Sequence, residues 1–109
     1  MSIRTRSIEY SDGDVALQGR LAWDDAATNP RPGILVSHAW SGRSPFEDAK
    51  AEALAELGYV GFALDVYGKG VRGTSVAENS ALLQPFLDDR LMLRQRLLKA
   101  LGVIREQPE

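Results

Sequence analysis

His38, the only histidine in the chain, stands in the run Ser37-His38-Ala39-Trp40-Ser41-Gly42, with a serine one residue before it and another three residues after. A serine hydroxyl becomes a useful nucleophile when a neighbouring base takes its proton, so this run is the first place to look for acyl-transfer chemistry. Neither serine sits in a G-x-S-x-G elbow, and one imidazole serves one hydroxyl, so a complete triad is not expected within these residues. His38 therefore reads either as a hydrogen-bonded structural residue or as a catalytic one, and Trp40 either as packing or as a pocket wall. Asp65, at the end of an apolar run, either orients a base or caps the loop that follows. A second cluster, Gly68-Lys69-Gly70-Val71-Arg72-Gly73, matches G-x-G-x-x-G. The dinucleotide fingerprint also needs a helix opening inside the motif and a strand ending in an acidic residue about 20 positions on. Here Asp88 and Asp89 fall in helical sequence, so the match is weak. The loop reads instead as a plain surface loop or as a substrate-contacting one, in which Lys69 or Arg72 pairs with a carboxylate.

The elements that must position these residues follow from the hydrophobic pattern. Residues 33–36 are apolar, rich in branched side chains and too short for a helix, which predicts a parallel strand covered on both faces. Its carboxyl end opens into the His38 loop, where open α/β sheets place ligands. Ser44-Pro45-Phe46-Glu47 fits a capping box, with Ser44 as N-cap and Glu47 reaching back to the Ser44 N–H. A helix over 45–57 follows, with Phe46, Ala49, Ala53, Leu54 and Leu57 as its apolar face and Gly58 as its left-handed stop. Residues 59–66 form a second mostly apolar strand, so strand, helix and strand make a right-handed βαβ unit. Upstream, 3–10 and 15–23 alternate around the turn signal Ser11-Asp12-Gly13-Asp14, which predicts a hairpin or meander. Downstream, one long helix is expected from about residue 78 to about 106, marked by Pro85. Leu93, Leu97, Ala100, Leu101 and Ile104 line its apolar face, with Arg94, Arg96, Lys99 and Arg105 off it.

Bulk properties narrow the function classes. The 109 residues suffice for one domain, and 44% hydrophobic with 26% charged residues is an ordinary globular balance. A formal net charge of −2 gives no electrostatic footprint for nucleic acid. Without cysteine there is no disulfide framework, thiolate metal site or cysteine nucleophile among these residues. No secretory leader or membrane-spanning run is visible, so the expected location is the cytoplasm. No metal or cofactor is expected.

Read together, residues 33–42, the helix start Ser44-Pro45-Phe46-Glu47-Asp48, the run Ala53-Leu54-Ala55-Glu56-Leu57-Gly58-Tyr59 and Leu64-Asp65-Val66-Tyr67-Gly68-Lys69-Gly70 resemble the first half of the dienelactone hydrolase family of α/β-hydrolases. The resemblance covers essentially the whole chain as one partial domain, 1–109. It implies an α/β fold: a β-hairpin, a parallel βαβ unit and a long crossover helix, with strand order 1-2-4-3. It implies a carboxylic ester or lactone hydrolase acting on a small molecule, in which the Ala39 N–H serves the oxyanion hole and Trp40 lines the pocket. The family carries an acidic residue where this chain has His38. Its type enzymes bind the substrate carboxylate with a basic residue after the fourth strand, a position that Lys69 matches most closely.

The family's nucleophile and its triad Asp and His belong to a second half, and no residue here inherits those roles. The expectation is therefore a fragment or split form, inactive by itself. Its strand at 33–37 is left as an open edge that a second copy covers across a two-fold axis. The competing expectation is a non-catalytic half-domain serving as an assembly module.

Overall fold

The computed structural model describes residues 2–26 and 29–108. Two ten-residue strands, β1 (Ile3–Asp12) and β2 (Val15–Asp24), form the hairpin, with Asp12 opposite Val15 across a two-residue turn. β3 (Gly33–Val36), α1 (Pro45–Glu56) and β4 (Val60–Ala63) form the βαβ unit. The sheet runs β1-β2-β4-β3, with β3 and β4 parallel and the other pairings antiparallel. The fourth strand is shorter than the apolar run suggested, because after a last bond from the Leu64 N–H to the Val36 carbonyl the chain leaves the ladder to build the loop beyond it.

The two faces of the sheet bury different side chains. One carries Leu21, Val60, Phe62, Leu64 and Val66 against Phe86 and Ala100 of the C-terminal helices. The other is built from alanines: Ala22 and Ala63 of the sheet against Ala51 and Ala55 of α1.

That alanine face corrects the expected orientation of α1. Its capping box forms as predicted, Glu47 accepting from the Ser44 N–H at 2.8 Å, and Gly58 takes a φ of 97° after the helix. The buried stripe, however, is Glu47, Ala51 and Ala55, while Phe46 and Leu57 are 66% and 74% exposed. The reason is the close approach of helix to sheet. A Cβ on Gly61 of β4 would lie 2.5 Å from the Ala51 carbonyl oxygen, so only small residues fit between them.

The expected long crossover helix is two helices, α2 (Val76–Asp88) and α3 (Arg90–Arg105). Asp89 breaks the run with non-helical angles, φ −131° and ψ 87°, and its carboxylate accepts from the Met92 N–H at 3.1 Å as the N-cap of α3. Pro85 contributes by lacking an N–H inside the last turns of α2. The apolar stripe of α3 packs as expected, with Ala100 buried and Leu93, Leu97 and Ile104 beside it. Arg96 departs from expectation: it is buried, its Nε donating to Asp12 at 2.6 Å.

Among the described residues no helix is long and apolar enough to cross a membrane.

Candidate functional site

β3 ends at Val36, and the Leu64 N–H makes the last parallel ladder bond, to the Val36 carbonyl at 3.1 Å. In a regular ladder the next donor, the Val66 N–H, would go to the His38 carbonyl two residues on. It goes instead to the His38 ring, donating to Nε2 at 3.1 Å. An imidazole nitrogen that accepts carries no proton, so Nδ1 is the protonated one and donates to the Ala39 carbonyl at 2.8 Å. That carbonyl also accepts from the Gly42 N–H at 3.1 Å, closing a tight turn. Among the described residues no acceptor takes the Ala39 N–H.

Three further contacts hold this loop against the one that follows β4. The Tyr67 hydroxyl donates to the Trp40 carbonyl at 2.8 Å, and the Gly73 N–H donates to the Ser41 carbonyl at 2.9 Å. Gly42 has a φ of 99° and presses on the Val71 carbonyl, where a Cβ would come within 2.6 Å. The resulting cavity, about 240 Å³, is lined by His38, Ala39, Trp40, Tyr67, Leu83 and Phe86 among others. The Tyr67 ring lies 4.8 Å from the His38 ring and 5.6 Å from that of Phe86. Burial raises the pKa of its phenol. Ser37 also lines the cavity, but its hydroxyl donates to the His38 carbonyl at 3.4 Å and not to the ring. With both ring nitrogens engaged by backbone, His38 has no nitrogen directed at either serine.

Of the residues singled out in the sequence, His38, Ala39 and Trp40 thus meet at one cavity. Lys69 sits elsewhere: its backbone N–H donates to Ala16 at 2.8 Å and its ammonium pairs with Glu9 of β1. Both side chains of that pair are largely exposed. Asp65 takes the loop-capping role, accepting from the Gly68 N–H at 3.1 Å and from the Gln18 N–H at 2.9 Å. The glycine loop does not open into a helix. α2 begins at Val76, and the amides of Lys69, Val71 and Gly73 are spent on Ala16, Gly68 and Ser41. Tyr67, Leu83 and Phe86 line the cavity without having been singled out in the sequence. The one available signal was the position of Tyr67, two residues past Asp65 at a strand's carboxyl end. Among the described residues no group of three or more His, Cys, Asp or Glu side chains is placed to hold a metal ion.

A half-sheet in the order β1-β2-β4-β3 with a cavity at the carboxyl ends of its parallel strands is the N-terminal part of an α/β-hydrolase-type fold. The sequence profile of the Dienelactone hydrolase family matches residues 17–109, and the chain belongs to that family. Among solved structures, all of this chain superposes on 45% of P91, a dienelactone hydrolase-like promiscuous phosphotriesterase from metagenomic libraries, with a TM-score of 0.93 and 30% identity. For a protein called m3DLH the values are 98% of this chain, 45% of that one, a TM-score of 0.94 and 29% identity. A dienelactone hydrolase from Anabaena variabilis shares the fold at 24% identity and a TM-score of 0.63, over 97% of this chain and 46% of that one. The chain thus spans just under half the length of these relatives. No curated protein matches it significantly.

Proposed function

We propose that residues 1–109 supply the oxyanion-hole half of a dienelactone hydrolase-type enzyme acting on a carboxylic ester or lactone. The observation that carries the reading is the Ala39 N–H, left without an acceptor in a loop pinned on both sides at the cavity. When a nucleophile adds to an ester carbonyl, its oxygen gains negative charge, and a fixed N–H aimed at it stabilises that charge without reorganising. The nucleophile, a cysteine or serine, and the histidine that activates it would come from a second half. Trp40, 41% exposed, would form one wall for the substrate. Lys69 would reach a substrate carboxylate only by leaving Glu9, a small cost for an exposed pair. P91 is described as a phosphotriesterase. A phosphoryl oxygen gains charge in the same way, so a phosphotriester belongs beside esters and lactones in a substrate panel. A cytoplasmic enzyme needing no metal or cofactor fits this chemistry.

The second reading, an assembly module, has its own supporting observation. Among the described residues β3 pairs on one side only, and beside its open edge lies a cavity of about 420 Å³ lined by Leu35, Leu93, Leu97 and Leu101 among others. Such an edge templates pairing, in this reading with a second copy to give a homodimer.

The deciding experiment joins this chain to the second half of a dienelactone hydrolase relative and follows a chromogenic short-chain ester. Turnover that falls about 10²–10³-fold in kcat on Ala39→Pro, which deletes the N–H, supports the enzyme reading. Absence of turnover by a folded joined chain, with a concentration-dependent dimer of the 109-residue chain, favours the assembly reading.

A further inference from the structure

We infer that His38 is a positioning residue whose imidazole, in the tautomer protonated at Nδ1, replaces a ladder bond of the sheet and thereby turns the Ala39 peptide out of it. The register makes the argument. β4 donates from Leu64 to the Val36 carbonyl, so Val66 should donate to the His38 carbonyl. The ring takes that donor instead, at 3.1 Å. The His38 carbonyl is thereby released from the sheet, and among the described residues its one partner is the Ser37 hydroxyl at 3.4 Å. Because the His38 carbonyl and the Ala39 N–H belong to one planar peptide, freeing the first swings the second. The same ring then fixes the next peptide by donating from Nδ1 to the Ala39 carbonyl at 2.8 Å.

Only one protonation pattern satisfies both contacts. The other neutral tautomer would set Nδ1 against a carbonyl lone pair and an Nε2–H against the Val66 N–H. The doubly protonated ring would keep the Ala39 contact and leave Val66 without an acceptor. The donor side of the bridge is itself held: Arg96 donates to the Val66 carbonyl, and Tyr10 exchanges hydrogen bonds with both backbone groups of Asp65. On the other flank the Tyr67 ring backs the imidazole at 4.8 Å. His38 is thus a brace between two loops, and its value to catalysis rests on the oxyanion-hole reading, whereas the brace itself does not.

The test is made on the 109-residue chain labelled with ¹⁵N. Long-range ¹H–¹⁵N spectra of the imidazole should show Nδ1 as the protonated nitrogen and Nε2 as the bare one. Amide exchange should then rise about tenfold at Val66 in His38→Ala, the loss expected for one hydrogen bond, while Phe62 exchange stays unchanged. His38→Gln, whose amide oxygen reaches the place of Nε2, should restore protection at Val66. His38→Asn, which matches only Nδ1, should not. An Nε2-protonated ring, or Val66 exchange unaffected in His38→Ala, overturns the inference. If the joined enzyme fails to turn over esters while the tautomer and the exchange pattern hold, the oxyanion-hole reading falls and the brace stands.

Discussion

Asp12, the last residue of β1, and Arg96 in α3 form an ion pair at 2.6 Å with both side chains almost wholly buried. The guanidinium also donates to the Val66 carbonyl, and Gln95 donates to the other carboxylate oxygen at 2.5 Å. The pair thus links the hairpin, the last helix and the backbone beside His38. Breaking one side of a buried pair strands the other charge, so Asp12→Ala should cost about 3–5 kcal/mol in urea unfolding. The Arg96 hydrogen bond, with Gln95 helping, holds the Asp12 carboxyl below the usual carboxylate range. A depressed folded-state pKa contributes stability that is present above the unfolded value, about 3.9, and lost as pH falls through the folded one. Acid unfolding curves of the wild-type chain should show this loss, and Asp12→Ala should flatten it.

Tyr10 responds at the opposite end of the pH scale. Its hydroxyl donates to the Asp65 carbonyl at 2.9 Å and accepts from the Asp65 N–H at 3.0 Å, and burial pushes its pKa up to about 12. The unfolded chain releases this proton near 10 while the folded one retains it, so stability falls as pH rises from about 10 to about 12. Tyr10→Phe should cost about 1–3 kcal/mol at neutral pH, because both Asp65 backbone groups lose their partner. The same variant should lose less further stability in alkali, which denaturation midpoints across that range would show.

Gly61→Ala tests the contact that turned α1. The new methyl would meet the Ala51 backbone at 2.5–2.9 Å, and backbone cannot swing aside as a side chain can. Overpacking of this kind costs about 1–3 kcal/mol, read as a lower midpoint with an unchanged m-value. Stability equal to wild type would mean that α1 lies farther from the sheet.

Lys69→Ala separates a structural from a substrate-binding lysine. Its pair with Glu9 is exposed, so unfolding free energy should change by less than about 1 kcal/mol. In the joined enzyme, a substrate bearing a free carboxylate should show a raised KM, and a neutral ester should not.

The strands and the capping box were legible because each has a local cause: alternation, a Ser-Pro-x-Glu start, apolar runs bounded by turns; the strand order followed from the family resemblance and from no local signal. The face of α1 was not legible, since Phe46 and Leu57 are the larger apolar residues and nothing local announces that Gly61 draws Ala51 onto the sheet. The break at Asp89 was hidden by helical sequence on both sides of it, and the burial of Arg96 depended on a carboxylate 84 positions away. Around the cavity, the loop at 37–42 announced itself by composition. That His38 spends both nitrogens on backbone, and that Lys69 turns to Glu9, follow from register and from the hairpin's position, which no motif spells out.

Under the proposed function, residues 1–109 supply an oxyanion donor and no nucleophile. The most direct measurement is intact mass after exposing the 109-residue chain to an alkyl fluorophosphonate, which marks activated serines covalently, alongside turnover of a chromogenic ester. The expected result is an unmodified mass and no turnover above buffer. A stoichiometric adduct at Ser37 or Ser41, with turnover abolished by the matching Ser→Ala change, would contradict it.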